Sequence, residues 1–256
     1  AFLKISMLDA GVDMRALIEA EDVFTTLAFV ALKPGGEREF SFARKPGADT
    51  QLRVDELDCD VLTHTRVFHT GSLSLTQEPA RSATYEAIDI AKAAGAVISY
   101  DPNYRASLWR GQDEAIRFMR SLIVTADIMK VSDEELPLLT GETDSEKAAD
   151  LLLDQGVKIV AITLGSEGAY VRVGKEHALV PGFRAKAVDT TGAGDSFFGG
   201  FLYRFLSSGK APKEVTISDA ADYARFGNAT ASLCVERRGG IPAMPKLAEV
   251  LERLKQ

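Results

Sequence analysis

The spacing of apolar and polar positions changes character along this chain, and the changes mark out its elements. Residues 1–10 are dense in apolar side chains and predict a helix that ends near Gly11. Residues 25–32, Thr-Thr-Leu-Ala-Phe-Val-Ala-Leu, are rich in strand formers, and Lys33-Pro34-Gly35-Gly36 is a turn cluster. Residues 37–43 then alternate polar and apolar, with Phe40 and Phe42 on one face. This predicts a β-hairpin within 25–46. Such a hairpin cannot sit inside a parallel sheet, which makes it a flap or lid. From Val61 onward strand patterns at 66–72, 96–100, 128–131 and 158–162 alternate with helical ones at 78–94 and 114–124, a short one ending at Thr140-Gly141, and one capped by Ser145 that runs to Gly156. Residues 169–173 and 177–180 predict a small antiparallel edge. The last third is mostly helical, with a segment stopping at Gly209 and others at 219–235 and 246–254. The irregular loop Glu236-Arg237-Arg238-Gly239-Gly240-Ile241-Pro242 separates the last two.

Alternating strands and helices imply right-handed crossovers and a three-layer α/β/α sandwich around a mainly parallel sheet. The strands end in polar or glycine-rich residues, and in an open parallel sheet those ends share the edge where ligands bind. We expect one domain over 1–256, with the small β lid inside it.

The helix that stops at Gly209 changes this picture most. It carries Phe197, Phe198, Phe201, Leu202, Phe205 and Leu206 on one face and is entered through Asp189-Thr190-Thr191-Gly192-Ala193-Gly194-Asp195. Glycines allow a sharp turn and close approach of backbone to a ligand. The first amides of a helix lack internal partners and carry partial positive charge, which suits a phosphate or a developing anion. An aspartate there binds phosphate poorly but accepts a proton well, so Asp195 reads as a general base beside an anion cradle. A bare Gly-x-Gly-Asp turn is more often a helix cap, and no Gly-Lys-Ser/Thr follows to make a phosphate loop of the Walker type.

The 256 residues suffice for one large or two small domains. A net charge of −7 argues against a general nucleic-acid binder, whose footprint would be basic. No apolar run reaches membrane-spanning length. Cys59 and Cys234 show no metal-type spacing, and a reduced, cytoplasmic setting is the simplest expectation. His64, His69 and His177 are isolated and read as structural or surface residues.

Thr-Gly-Ala-Gly-Asp at 191–195, opening an aromatic-rich helix, closely resembles the C-terminal signature of the ribokinase-like (PfkB) carbohydrate kinases. Asp101-Pro102-Asn103-Tyr104-Arg105, with Leu108-Trp109 after it, is similar to a segment of fructokinases and 2-keto-3-deoxygluconate kinases. On residue type alone Asp101 and Asn103 could equally shape a turn; the resemblance favours Asn103 and Arg105 as substrate contacts. Ser132-Asp133-Glu134-Glu135 resembles the family's Asn-x-x-Glu motif, with Ser132 where many members carry Asn. The resemblance implies that Glu135 organises magnesium through water and that Ser132 lies at the nucleotide. It likewise implies ATP contacts for Thr163, Gly165, Ser166, Gly168 and Gly194, and a place near adenine for Asn228. Asp189, Thr191, Cys234, Arg237 and Gly239 align with a monovalent-cation site that acts mostly through carbonyls; Ala243 replaces a serine found there in some members. Phe40 to Asp49 fits the lid of fructokinases. Family members begin with a strand bearing a sugar-binding Asp and a Gly-Gly…Asn motif, so the chain is expected to open several dozen residues later than they do.

The resemblance thus implies a ribokinase-like fold and an ATP- and Mg2+-dependent sugar kinase with possible K+ dependence. Asp195 is its base, and Gly192, Ala193 and Gly194 its anion cradle. Fructokinase is the first expectation, and 2-keto-3-deoxygluconate kinase or ribokinase/nucleoside kinase the alternatives. A sugar- or nucleotide-binding protein without turnover is the reading from another class. A homodimer paired through the lid is expected, with neither nucleic acid nor membrane as partner.

Overall fold

A computed structural model of the chain describes residues 2–32 and 38–256. The expected turn at Lys33-Pro34-Gly35-Gly36 lies outside the described residues. The elements run α1 (Phe2–Asp9), β1 (Leu27–Leu32), β2 (Arg38–Ala43), α2 (Cys59–His64), β3 (Val67–Gly71), α3 (Ala80–Ala93), β4 (Val97–Asp101), α4 (Gln112–Ile123), β5 (Ile128–Ser132), α5 (Leu136–Thr140), α6 (Ser145–Asp154), β6 (Ile159–Thr163), β7 (Gly168–Val173), β8 (Glu176–Pro181), α7 (Ala193–Ser208), α8 (Ile217–Cys234) and α9 (Leu247–Arg253). The strands form an antiparallel β1-β2 pair and a six-stranded sheet of order β3-β4-β5-β6-β7-β8, flanked by helices on both sides. β4, β5 and β6 are parallel, whereas β7 and β8 add the antiparallel edge. This is the ribokinase-like arrangement expected. Among the described residues no helix is long and apolar enough to cross a membrane.

The chain divides into two units, Ala1–Ile98 with Asn103–Phe118, and Ser99–Pro102 with Met119–Gln256. In the first, the hairpin pairs Leu27 with Ala43 and Leu32 with Arg38. It is tied down just past its end by Arg44. That buried guanidinium donates to Asp49 Oδ2 at 2.8 Å, Thr76 Oγ1 at 2.8 Å and the Leu73 carbonyl at 2.9 Å. Asp49 also accepts from Thr26 Oγ1. Helix α2 was not foreseen. Its apolar periodicity is too short to register, but Asp58 caps it by accepting from the Val61 amide at 3.1 Å. In α3, Ala80, Ala83, Thr84, Ala87, Ile88 and Ala91 are buried, the three- and four-residue spacing of one helical face.

In the second unit, β5 and β6 are apolar on both faces, as a sheet covered on both sides requires: Ile128, Met129, Val131 and Ile159 to Ile162 are fully buried. The cap of α6 is Asp144, which accepts from the Lys147 amide at 2.9 Å, rather than Ser145. Ser145 is instead the first helical residue, since a cap bonds the amide two or three positions on. The greasy face of α7 is as expected: Phe197, Phe198, Phe201 and Phe205 are buried, with Phe201 meeting the Tyr223 ring edge-on at 5.5 Å. What the periodicity does not show is how closely α7 approaches α8. A methyl group at Gly227 would lie 2.7 Å from the Phe197 carbonyl oxygen, and one at Gly200 would lie 2.5 Å from Thr230 Oγ1. The two helices touch backbone to backbone, and this fixes where α7 lies.

Gly227→Ala should therefore lower stability by about 1–3 kcal/mol through overpacking. Gly199→Ala, on the exposed face of α7 with open space around it, should raise stability by roughly 1 kcal/mol through helix propensity. Urea midpoints of the two variants check this; equal midpoints would remove the backbone contact from the account.

Candidate active site

The site is assembled at one end of the second unit, where parallel strands finish. Ser132 and Thr163 are register partners at the ends of β5 and β6. Tyr100 pairs with Met129, so Asp101, the last residue of β4, falls beside Lys130 of β5. Lys130 Nζ donates to Asp101 Oδ2 at 3.0 Å, and their side chains are only 7% and 5% exposed. Burial pushes the Asp101 carboxyl up to about 6; Lys130 opposes that shift, while the negative charges of Glu135 and Asp195 add to it. Three carboxylates and one ammonium thus share this end of the unit.

Glu135 is buried and held by its own loop. The Ser132 amide and hydroxyl both donate to Glu135 Oε2 at 2.9 Å, and the Glu135 amide returns a bond to the Ser132 carbonyl at 3.0 Å. Pro137 follows, pre-set for the first turn of α5. The Ser132 hydroxyl is therefore engaged in aiming Glu135.

Helix α7 begins at Gly192, whose φ of 78° lies in the left-handed region that favours glycine. The loop before it is clamped by Asp189: Oδ1 accepts from the Thr191 amide at 2.9 Å and Oδ2 from the Gly239 amide at 3.0 Å. The Asp189 amide donates to the Val235 carbonyl at 3.2 Å, Cys234 Sγ approaches the Thr191 carbonyl at 3.6 Å, and the Arg237 amide donates to the Cys234 carbonyl at 3.1 Å. Burial pushes the Cys234 thiol up. Arg237 directs its guanidinium at Glu249. The five residues expected to surround a cation thus come together, through the side chains of Asp189 and Cys234 as well as backbone. The Ala193 amide already donates to the Thr190 carbonyl at 3.1 Å, which leaves Gly192 and Gly194 as the cradle amides without a backbone partner among the described residues. Asp195, in the first turn, is exposed.

The Thr163–Gly168 loop also depends on glycines. Gly165 and Gly168 have φ of 57° and 108°, and a methyl group at Gly168 would lie 2.1 Å from the Val180 carbonyl oxygen. The Leu164 amide donates to the Gly168 carbonyl at 2.9 Å, closing the turn on which Ser166 rides. Asn228 is buried, and its Nδ2 donates to the Val180 and Pro181 carbonyls at 3.0 and 3.1 Å. Its amide donors thus anchor the end of β8.

Residues 1–247 match the pfkB family of carbohydrate kinases. The chain belongs to that family. It is 43% identical over 249 residues to probable fructokinase-3 of Arabidopsis thaliana, spanning 96% of this chain and 71% of that protein. Among solved structures, the fructokinase of Vibrio cholerae O395 bound to fructose, ADP and calcium superimposes with a TM-score of 0.90 at 31% identity, covering 99% of this chain and 80% of that one. A double mutant of the same enzyme, bound to fructose, ADP and potassium, gives a TM-score of 0.89 with the same identity and coverage.

Two residues that the pfkB resemblance singles out lie in the first unit. Asn103 has a φ of 48°, a left-handed conformation that asparagine tolerates better than most side chains. Arg105 precedes a 3-10 turn and donates from Nη1 to the Tyr104 carbonyl at 2.8 Å. Sequence reasoning passed over Lys130, and weighed Asp101 only as a turn residue. The available signal was a single charge inside the apolar run Ile128-Met129-Lys130-Val131, a position where lysine is costly unless paired. Among the described residues no three of His, Cys, Asp or Glu converge as a ready-made metal site.

Proposed function

We propose that this pfkB-family chain is an ATP-dependent sugar kinase whose acceptor is fructose. The observation that carries the reading is the carboxylate of Asp195, exposed in the first turn of a helix whose glycine entry leaves amides to receive an anion. A primary sugar hydroxyl attacks the γ-phosphate in line, and Asp195 takes its proton. The amides of Gly192 and Gly194, beside Ala193 at the helix start, stabilise charge on the transferring group. The Thr163, Gly165, Ser166 and Gly168 loop holds the nucleotide, Ser132 supports it through Glu135, and Asn228 supports it by holding β8. Asn103 and Arg105 serve the acceptor, with the guanidinium suited to gripping an oxygen in fork geometry.

Magnesium, when bound with the nucleotide, would neutralise phosphate charge, with Glu135 in its outer shell. The converged metal set that is lacking among the described residues is not needed if the phosphates are themselves ligands. A potassium ion is assigned to the loop formed by Asp189, Thr191, Cys234, Arg237 and Gly239, where the family resemblance places a site that acts mostly through backbone carbonyls. The hairpin acts as the lid and as a dimer surface: Leu27, Phe29 and Val30 are 51%, 58% and 40% exposed, an apolar edge strand open to a partner.

Asp195→Asn should lower turnover by about 10²–10⁴-fold while sparing ATP binding, read by coupled ADP release and by calorimetry; near-normal turnover removes the base. The same assay run over fructose, ribose, 2-keto-3-deoxygluconate and adenosine should favour fructose, and no ADP release with any acceptor would leave a binding protein. Initial rates in potassium should exceed those in tetramethylammonium, and equal rates remove the monovalent site. In sedimentation velocity Phe29→Glu should convert a dimer to monomer; an unchanged profile rejects pairing through the hairpin.

A further inference from the structure

Lysine inside a strand needs a reason. In β5 the neighbours Met129 and Val131 are fully buried, and an apolar residue at position 130 would serve packing as well. A buried ion pair roughly breaks even against apolar replacements, because desolvation offsets the attraction. The Lys130–Asp101 pair is therefore not explained by stability. Its location is more informative. A methyl group at Gly194 would lie 3.0 Å from Lys130 Nζ and 3.7 Å from its Cε. The ammonium sits directly against the second residue of α7, next to the amide left without a backbone partner and one residue from Asp195.

We propose that Lys130 is a positioning residue for phosphoryl transfer: its ammonium, steadied by Asp101, braces the first turn of α7 at Gly194 and adds positive charge beneath the anion cradle. This rests on the kinase reading above. The end of the unit that would receive a triphosphate carries Asp101, with Glu135 and Asp195 both within electrostatic reach of it. Unopposed, those carboxylates would destabilise the charge that grows on the phosphoryl group during transfer. Lys130 offsets one of them from inside, where low dielectric makes its field count. It needs no contact with either substrate. A side chain at position 194 would press on the ammonium, which would have to give by a few tenths of an ångström.

A double-mutant cycle separates this role from a structural one. In Lys130→Met, kcat should fall by about 10²-fold, the scale of losing one preorganised electrostatic contact, while both KM values stay within about threefold. In Asp101→Asn, which keeps the cation, kcat should stay within about tenfold of the parent. The decisive protein is the double variant Asp101→Asn/Lys130→Met, in which no charge is left buried alone. Its melting temperature should recover while its kcat remains about 10²-fold down. In addition, fluoroaluminate with the best acceptor should no longer tighten ADP binding, although ADP alone binds as in the parent. A double variant that regains turnover, or that fails to fold, assigns the pair to the fold and overturns the proposal. So does a Lys130→Met variant whose activity falls only in step with its folded fraction. Asp195→Asn, measured alongside, keeps the two readings apart. If it turns over normally the base is wrong, and the fluoroaluminate comparison still judges Lys130.

Discussion

One carboxylate sets the geometry on which the site depends. Asp189 accepts two backbone amides that lie far apart in sequence, Thr191 just before α7 and Gly239 in the loop after α8. Hydrogen bonds to a charged acceptor contribute about 1.5–3 kcal/mol each, enough to hold an otherwise irregular loop. The clamp fixes the entry to α7 from one side. The close contacts of Gly200 with Thr230 and of Gly227 with Phe197, between α7 and α8, fix it along the helix. A helix held at both places cannot slide by a turn, so the amide ends of α7 and the carboxylate of Asp195 occupy one position relative to β5. That is what proton abstraction and anion stabilisation require, since both decay within an ångström of misplacement.

The second constraint is electrostatic. Two unit charges 4 Å apart interact by about 4 kcal/mol at an effective dielectric of 20, so the acids gathered at the ends of β4, β5 and α7 cannot be indifferent to one another. Asp101 records this, being pushed up to about 6 by burial and by its acidic neighbours in spite of its lysine. Under the kinase reading the same crowding makes the nucleotide's own counter-charge part of the site. Free triphosphate would meet net repulsion, whereas a metal-bound one presents fewer uncompensated charges. Glu135, held rigid by Ser132 rather than left to swing, is suited to ordering water around such a metal.

The fold was legible because its strands and helices differ in period, and because α7 carries a phenylalanine stripe that only a helix can turn to one side. The site was legible where chemistry and backbone conformation coincide: Gly192 had to be glycine for its left-handed φ, and Asp195 stands in the helix turn that the glycines open. Three things stayed hidden, each for a physical reason. Lys130 reads as an interruption of an apolar strand, because its partner Asp101 lies 29 residues away and only strand pairing joins them. Ser132 and Asn228 carry polar groups that look available for ligand, yet other contacts draw on them, Glu135 three residues on in one case and the β8 carbonyls in the other. The backbone contact of α7 with α8 leaves no trace in hydrophobic periodicity, since glycine marks it by lacking a side chain.

These features divide the labour of the proposed reaction in a way that bears on acceptor choice. The donor end is made largely of backbone: glycine amides at 192 and 194, the Gly165 and Gly168 turn, and the carbonyls around Asp189. Backbone presents the same atoms whatever the neighbouring side chains become, so such an end can serve many acceptors without redesign. Discrimination among sugars needs side chains that hydrogen-bond particular hydroxyls, because a site that leaves its buried polar groups unpaired rejects the wrong substrate far more strongly than one that only fills space. In this chain the side chains proposed for that purpose, Asn103 and Arg105, belong to the segment that follows β4. Changing acceptor should therefore be a matter of altering that segment, while alteration of the α7 entry would abolish transfer to every acceptor alike.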